Sequence, residues 1–113
     1  MPASKKRSYA RYTIAAATLL GTLIALERKS QRMTAQELAT RLGVDRSTLQ
    51  RLEKGDPKVE LGLAFEACAI LNIPLFDEDA RGLHRRLDEA DKRLALLPSR
   101  VRNRKPAAAD DDF

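Results

Sequence analysis

Gly43-Val44-Asp45 joins two stretches that are each too short to hold a helix unaided. This junction narrows the possible folds more than any other part of the 113-residue chain. Thr34 is a good N-cap, and Glu37 three residues on completes a capping box of the Ser/Thr-x-x-Glu type. A helix follows over Ala35–Leu42, with Leu38, Ala39 and Leu42 on one face. Gly43 ends it, because glycine takes the left-handed conformation at a helix end with least cost. Asp45 caps a second helix over about residues 46–54, which turns Leu49 and Leu52 inward. Helices shorter than about 12–15 residues are marginal alone in water, so these two must pack together and on a larger scaffold. Ala39 is small where the helices cross, and Val44 plugs the turn into the core.

The flanking sequence supplies that scaffold. Leu19, Leu20, Leu23 and Ile24 fall at helical spacing after the helix-favouring Ala15, Ala16 and Ala17, which predicts a first helix over about residues 10–29. Lys5, Lys6 and Arg7 before an uncharged run imitate a secretory signal, but the run is short for a membrane span and no small-residue cleavage site follows it. A fourth helix over about residues 60–71 turns Leu63, Ala64, Ala67, Cys68 and Leu71 inward. With no Trp and 4% aromatic residues, the core is aliphatic. Beyond residue 74, Ala80, Leu83, Leu87, Ala90, Leu94 and Leu97 recur at alternating spacings of three and four, a heptad seam on a fifth helix that Pro98 stops. Arg85 with Glu89, Asp88 with Lys92, and Glu89 with Arg93 are spaced for ion pairs along it. The seam suits packing on its own domain, pairing across a dimer or binding a second protein. The chain thus divides into a flexible basic arm (1–9), a compact helical domain (10–74), an amphipathic helix for dimer or partner contact (75–98) and a disordered charged tail (99–113).

Charge and side-chain placement point to the ligand. Residues 1–58 carry 12 basic and 5 acidic side chains, net +7, whereas residues 59–113 carry 9 and 11, net −2. The first half therefore faces a polyanion. With Leu49 and Leu52 behind, Arg46, Ser47, Gln50 and Arg51 occupy the outer face of the third helix. A helix so presented fits the major groove, where Arg reads guanine, Gln reads adenine and Ser contacts base edges or phosphate. An enzyme is not expected. His84 has no nucleophile patterned beside it, Cys68 reads as core, and no Gly-rich phosphate loop follows a strand. A single His excludes His-pair metal motifs, a single Cys fits a reducing cytoplasm, and no catalytic site, metal or cofactor is expected.

Residues 20–74 resemble the Xre-type helix-turn-helix domains, the lambda-repressor and Cro-like family. The matching words are Leu20-Gly21-x-x-Ile24-x-x-x-Arg28, Thr34-x-x-Glu37-Leu38-Ala39, Leu42-Gly43-Val44 and Leu49-x-x-x-Glu53-x-Gly55. The resemblance implies an all-α, five-helix DNA-binding domain with an extended C-terminal helix and flexible termini. It implies a structural ion pair between Arg28 and Glu53, and a homodimer that places two third helices in successive major grooves about 34 Å apart on a palindromic operator. DNA-backbone contacts are expected from Thr34, Ala35, Gln36, Thr48 and Lys54. The family usually places Gln directly after the N-cap. Here Ala35 stands there and Gln36 follows, which leaves backbone N–H groups at the helix start to hold a phosphate. The flank, from Gly55-Asp56-Pro57-x-Val59 through Leu75-Phe76 to Leu97-Pro98-x-Arg100-Val101-Arg102, looks like HipB-type antitoxins. That likeness implies autoregulation and a HipA-like Ser/Thr kinase toxin as partner; the alternative is a stand-alone Xre-type regulator without one.

Overall fold

The structure, a computed structural model, describes residues 8–101. Most of the basic arm (residues 1–7) and of the charged tail (residues 102–113) lies outside the described residues. Five helices run α1 Arg11–Ser30, α2 Ala35–Leu42, α3 Arg46–Glu53, α4 Leu61–Leu71 and α5 Ala80–Ala95. No strand occurs among the described residues, so the fold is all-α as the pattern predicts. Among them, too, no helix is long and apolar enough to cross a membrane.

α1 to α4 form one compact unit ending at Asp77, and α5 belongs to a second that starts at Glu78. In the first unit α2 and α3 pack on each other, α1 lies against α3 and α4, and α4 touches α2. Ile24, Leu38, Leu49, Cys68 and Leu71 are fully buried between them. Each such Leu or Ile contributes about 1.5–3 kcal/mol. Met33, Leu42, Val44, Val59 and Ile73 seal the edges of this core. Burial pushes the Cys68 thiol above its ordinary value, which keeps it an inert apolar filler.

All four helices of this unit close in the same way. A residue at positive φ follows the last turn, and the next N–H reaches back five residues to a helix carbonyl. The closures are Arg32 with Met33 N–H to Arg28, Gly43 with Val44 to Ala39, Gly55 with Asp56 to Arg51, and Asn72 with Ile73 to Cys68. This is the Schellman arrangement, which satisfies carbonyls the helix leaves open. It lets helices of 8 to 20 residues turn sharply enough to stack around one small core.

Several boundaries differ from the sequence reading. Lys54 caps α3 rather than extending it, and Glu60 precedes α4 without a side-chain cap bond. α5 ends at Ala95, so Leu97 falls outside the helix. Pro98 disfavours helical backbone at the residue before it, and the helix unwinds a little earlier still. Among the described residues the ion pair on α5 joins Arg86 to Glu78 at 3.6 Å, and the three i,i+4 pairs do not close. Exposed pairs of that kind gain too little to hold two long side chains still.

Gly21 marks the tightest crossing. A Cβ there would strike the carbonyl oxygens of Leu52 and Glu53, backbone atoms of α3 that cannot swing aside. Gly21→Ala is expected to destabilise the domain by about 1–3 kcal/mol, the range for overpacking a filled core. Gly62→Ala, in open space on α4, should be neutral or stabilising by up to about 1 kcal/mol. Urea unfolding of the two variants side by side checks the contrast.

Candidate nucleic-acid interface

The surface is built from the capping chemistry outward. Thr34 Oγ1 accepts from the Glu37 N–H at 3.0 Å, and Glu37 Oε1 accepts from the Thr34 N–H at 2.7 Å. This reciprocal pair starts α2 at one position, and donation from the Thr34 backbone holds the Glu37 carboxyl below its usual range. At α3 the Asp45 carboxylate accepts from the Thr48 N–H at 2.8 Å and from the Ser47 hydroxyl at 2.9 Å. Those bonds, the Thr48 N–H first, pull the Asp45 carboxyl down as well.

α3 is held from behind. Leu49 and Leu52 are buried in the core. At its C-terminal end Glu53 meets Arg28 of α1 in a two-pronged contact, with Nε donating to Oε2 at 2.7 Å and Nη2 to Oε1 at 3.1 Å. The side chains are 10% and 13% exposed. Arg28 Nη1 also donates to the Met33 carbonyl at 2.9 Å, in the turn that leads into α2. One guanidinium thus ties α1, the approach to α2 and the end of α3. Glu53 favours its charged form and pushes its pKa further up.

The outer face then carries a graded set of donors. Arg46, Gln50 and Lys54 are exposed, and among the described residues their side chains make no hydrogen bond or ion pair. Ser47 is exposed but its hydroxyl already serves the cap. Thr48 is half-buried, with its N–H used by Asp45. Arg51, 51% exposed, is not free: its Nε donates to Asp56 Oδ2 at 2.8 Å. On α2, Gln36 donates to Thr40 Oγ1 at 3.2 Å, and Ala35 is half-buried. Thr34 is exposed at the helix start, with its side chain and N–H both engaged in the capping box.

Asp56 is the residue that sequence reasoning missed. It reads as a turn residue before Pro57, yet it accepts from both the Lys58 N–H and Arg51. Those bonds, the Lys58 N–H first, hold its carboxyl below the usual range. Its spacing of five from Arg51 was the available signal, because the closure at Gly55 brings the chain back over the last turn of α3. No group of acidic, His or Cys side chains among the described residues could hold a metal ion.

Residues 24–77 match the helix-turn-helix family, the Xre-type and lambda-repressor-like class. The match takes in the last part of α1, then α2, the turn, α3 and α4, and it indicates a DNA-binding transcriptional regulator. No curated protein and no solved structure matches the chain.

Glu37, Asp45 and Asp56 all have lowered folded pKa values, so the stability they contribute is present above the unfolded carboxyl values of about 3.9–4.3 and is lost as pH falls through the folded ones. Asp45→Asn keeps an N-cap acceptor but removes one titrating group. Its acid unfolding limb below about pH 4 is expected to be shallower than that of the parent protein, read by circular dichroism against pH. Arg28→Ala, which leaves the part-buried Glu53 unpaired, should cost about 3–5 kcal/mol in urea unfolding at neutral pH.

Proposed function

We propose that the protein is a sequence-specific transcriptional repressor that binds a palindromic operator as a homodimer, with α3 in the major groove. The observation that carries this reading is the α3 outer face. Arg46 and Gln50, four residues apart, share one strip of the helix and carry unengaged donors above the buried Leu49 and Leu52. Guanine and adenine edges in the major groove offer the acceptors that these two side chains match. Ser47 and Arg51 flank that strip as secondary readers. Thr34, Ala35, Gln36, Thr48 and Lys54 are assigned to the DNA backbone, with the start of α2 offering N–H groups and helix dipole to a phosphate. The excess of basic residues in the first half of the chain supplies long-range attraction and a steep salt dependence.

The biological setting we propose is that of an antitoxin that represses its own operon and holds a HipA-like Ser/Thr kinase. Support for this comes from the flanking words around Pro57, Phe76 and Pro98. Co-purification with the product of the neighbouring reading frame tests it. Absence of a kinase frame there would leave a stand-alone repressor.

Selection from a random duplex library is expected to enrich a two-fold symmetric site. On that site Arg46→Ala should cost about 1–3 kcal/mol and relax one position of the recognised sequence. Equal weakening on every duplex would assign Arg46 to phosphate, and no enrichment would overturn the reading. Asp56→Asn, which releases Arg51 while keeping an acceptor for the Lys58 N–H, is expected to tighten duplex binding about threefold, the scale of one exposed ion pair. Titration by gel shift at fixed salt measures both effects.

A further inference from the structure

Ser47 stands exposed in the first turn of α3, beside Arg46. Its hydroxyl lies 2.9 Å from Asp45 Oδ1, the oxygen that also takes the Thr48 N–H at 2.8 Å. Asp45 is ionised at neutral pH, because the bonds it receives, the Thr48 N–H first, hold its carboxyl below its ordinary value. An ionised carboxylate accepts and cannot donate, so the proton in this contact comes from the hydroxyl. A hydroxyl carries one proton and two lone pairs. With the proton turned toward Asp45, Ser47 offers only an acceptor to whatever lies outside.

The proton does not swing away to meet DNA. A bond to a charged acceptor is about twice as strong as one between neutral groups, so guanine N7 or thymine O4 does not win the hydroxyl from Asp45. A phosphate oxygen has the charge to compete, but it would sit beside the Asp45 carboxylate, where like charges repel. The major groove holds a match of the other polarity. On its base edges guanine N7 and O6, adenine N7 and thymine O4 accept, and only adenine N6 and cytosine N4 donate. Toward Ser47, then, adenine and cytosine form one class, the bases with an amino group on that edge. Guanine and thymine, with a keto oxygen in its place, form the other. The neighbouring Arg46 has donors only and favours the keto class.

We infer that Ser47 reads an amino base, adenine or cytosine, in the major groove and rejects a keto base at that position, because Asp45 fixes the polarity of its hydroxyl. This deepens the operator reading above and rests on it. A keto oxygen set against the Ser47 lone pairs leaves two acceptors facing each other with no proton between them, which costs at least the lost hydrogen bond. Asp45 does not touch the base; it is a positioning residue that acts through the hydroxyl. A donor-only side chain next to an acceptor-only one also gives the surface a direction, since a base pair turned end for end exchanges its amino and keto groups.

Selection from a random duplex library, run on the full chain and on Ser47→Ala, tests this. The variant keeps the Thr48 N–H on Asp45, so α3 still starts at the same place. The position that Ser47 reads is the one whose preference the variant relaxes, and adenine or cytosine is expected there on one strand of the half-site. In the enriched duplex that base is then replaced by its analogue without the amino group, purine for adenine or 2-pyrimidinone for cytosine. Gel shift at fixed salt is expected to show the parent protein weakened about three- to tenfold by the replacement, the scale of one neutral hydrogen bond. Ser47→Ala should bind both duplexes equally. A role confined to capping α3 would move every duplex alike. Guanine or thymine at the relaxed position, equal loss for both proteins, or no position relaxed by the variant would overturn the inference and leave the operator reading standing. No enriched duplex for the parent protein would sink the operator reading itself, and the role of Ser47 with it.

Discussion

The Arg28–Glu53 contact decides where the reading surface stands. Two short bonds fix the guanidinium plane against the carboxylate, and a third bond runs to the Met33 carbonyl. A buried pair of this kind gains little net stability over a well-packed apolar one, because both charges lose water. What it supplies is a single geometry. An aliphatic replacement could slide along the Leu-rich core, whereas a forked donor facing a forked acceptor tolerates almost no displacement. The helix that carries Arg46 and Gln50 is therefore indexed to α1 at its far end and to Asp45 at its near end.

Much of this was legible because it is local. The Thr34–Glu37 box, the cap at Asp45, the break at Gly43 and the inward Leu49 and Leu52 are encoded within three or four residues of each other. The outer face of α3 follows from them by subtraction. What the sequence concealed depends on chain reversal. Arg32 and Asn72 adopt positive φ without the glycine that advertises it, at helix ends closed by the Met33 N–H to Arg28 and the Ile73 N–H to Cys68. The tie between Arg51 and Asp56 forms only once Gly55 folds the chain back. Ser47 and Gln36 differ: their types suggest contact with DNA, but each donates locally, Ser47 to Asp45 and Gln36 to Thr40. At the end of α5 the heptad pattern overran the helix, since apolar spacing continues through Leu97 while the backbone does not.

The two units divide the work along physical lines. In the first, the two leucines of α3 are consumed by the core and the exposed side chains of that helix are polar. In the second, the largest apolar side chains of the helix remain exposed beside a dense array of charges.

The glycines behind α3 carry a consequence for how the protein meets a target that does not fit. At Gly21 the carbonyls of Leu52 and Glu53 rest almost on the α1 backbone, and at Gly55 the chain presses on Thr18 in the same manner. Main chain against main chain offers no rotamer to relax. On a reading in which α3 enters the major groove, a duplex of imperfect width or twist would have to supply the adjustment itself, with soft base steps accepted where stiff ones are refused. Selectivity at positions no side chain touches would thus originate in two hydrogen atoms standing where other residues have a methyl group.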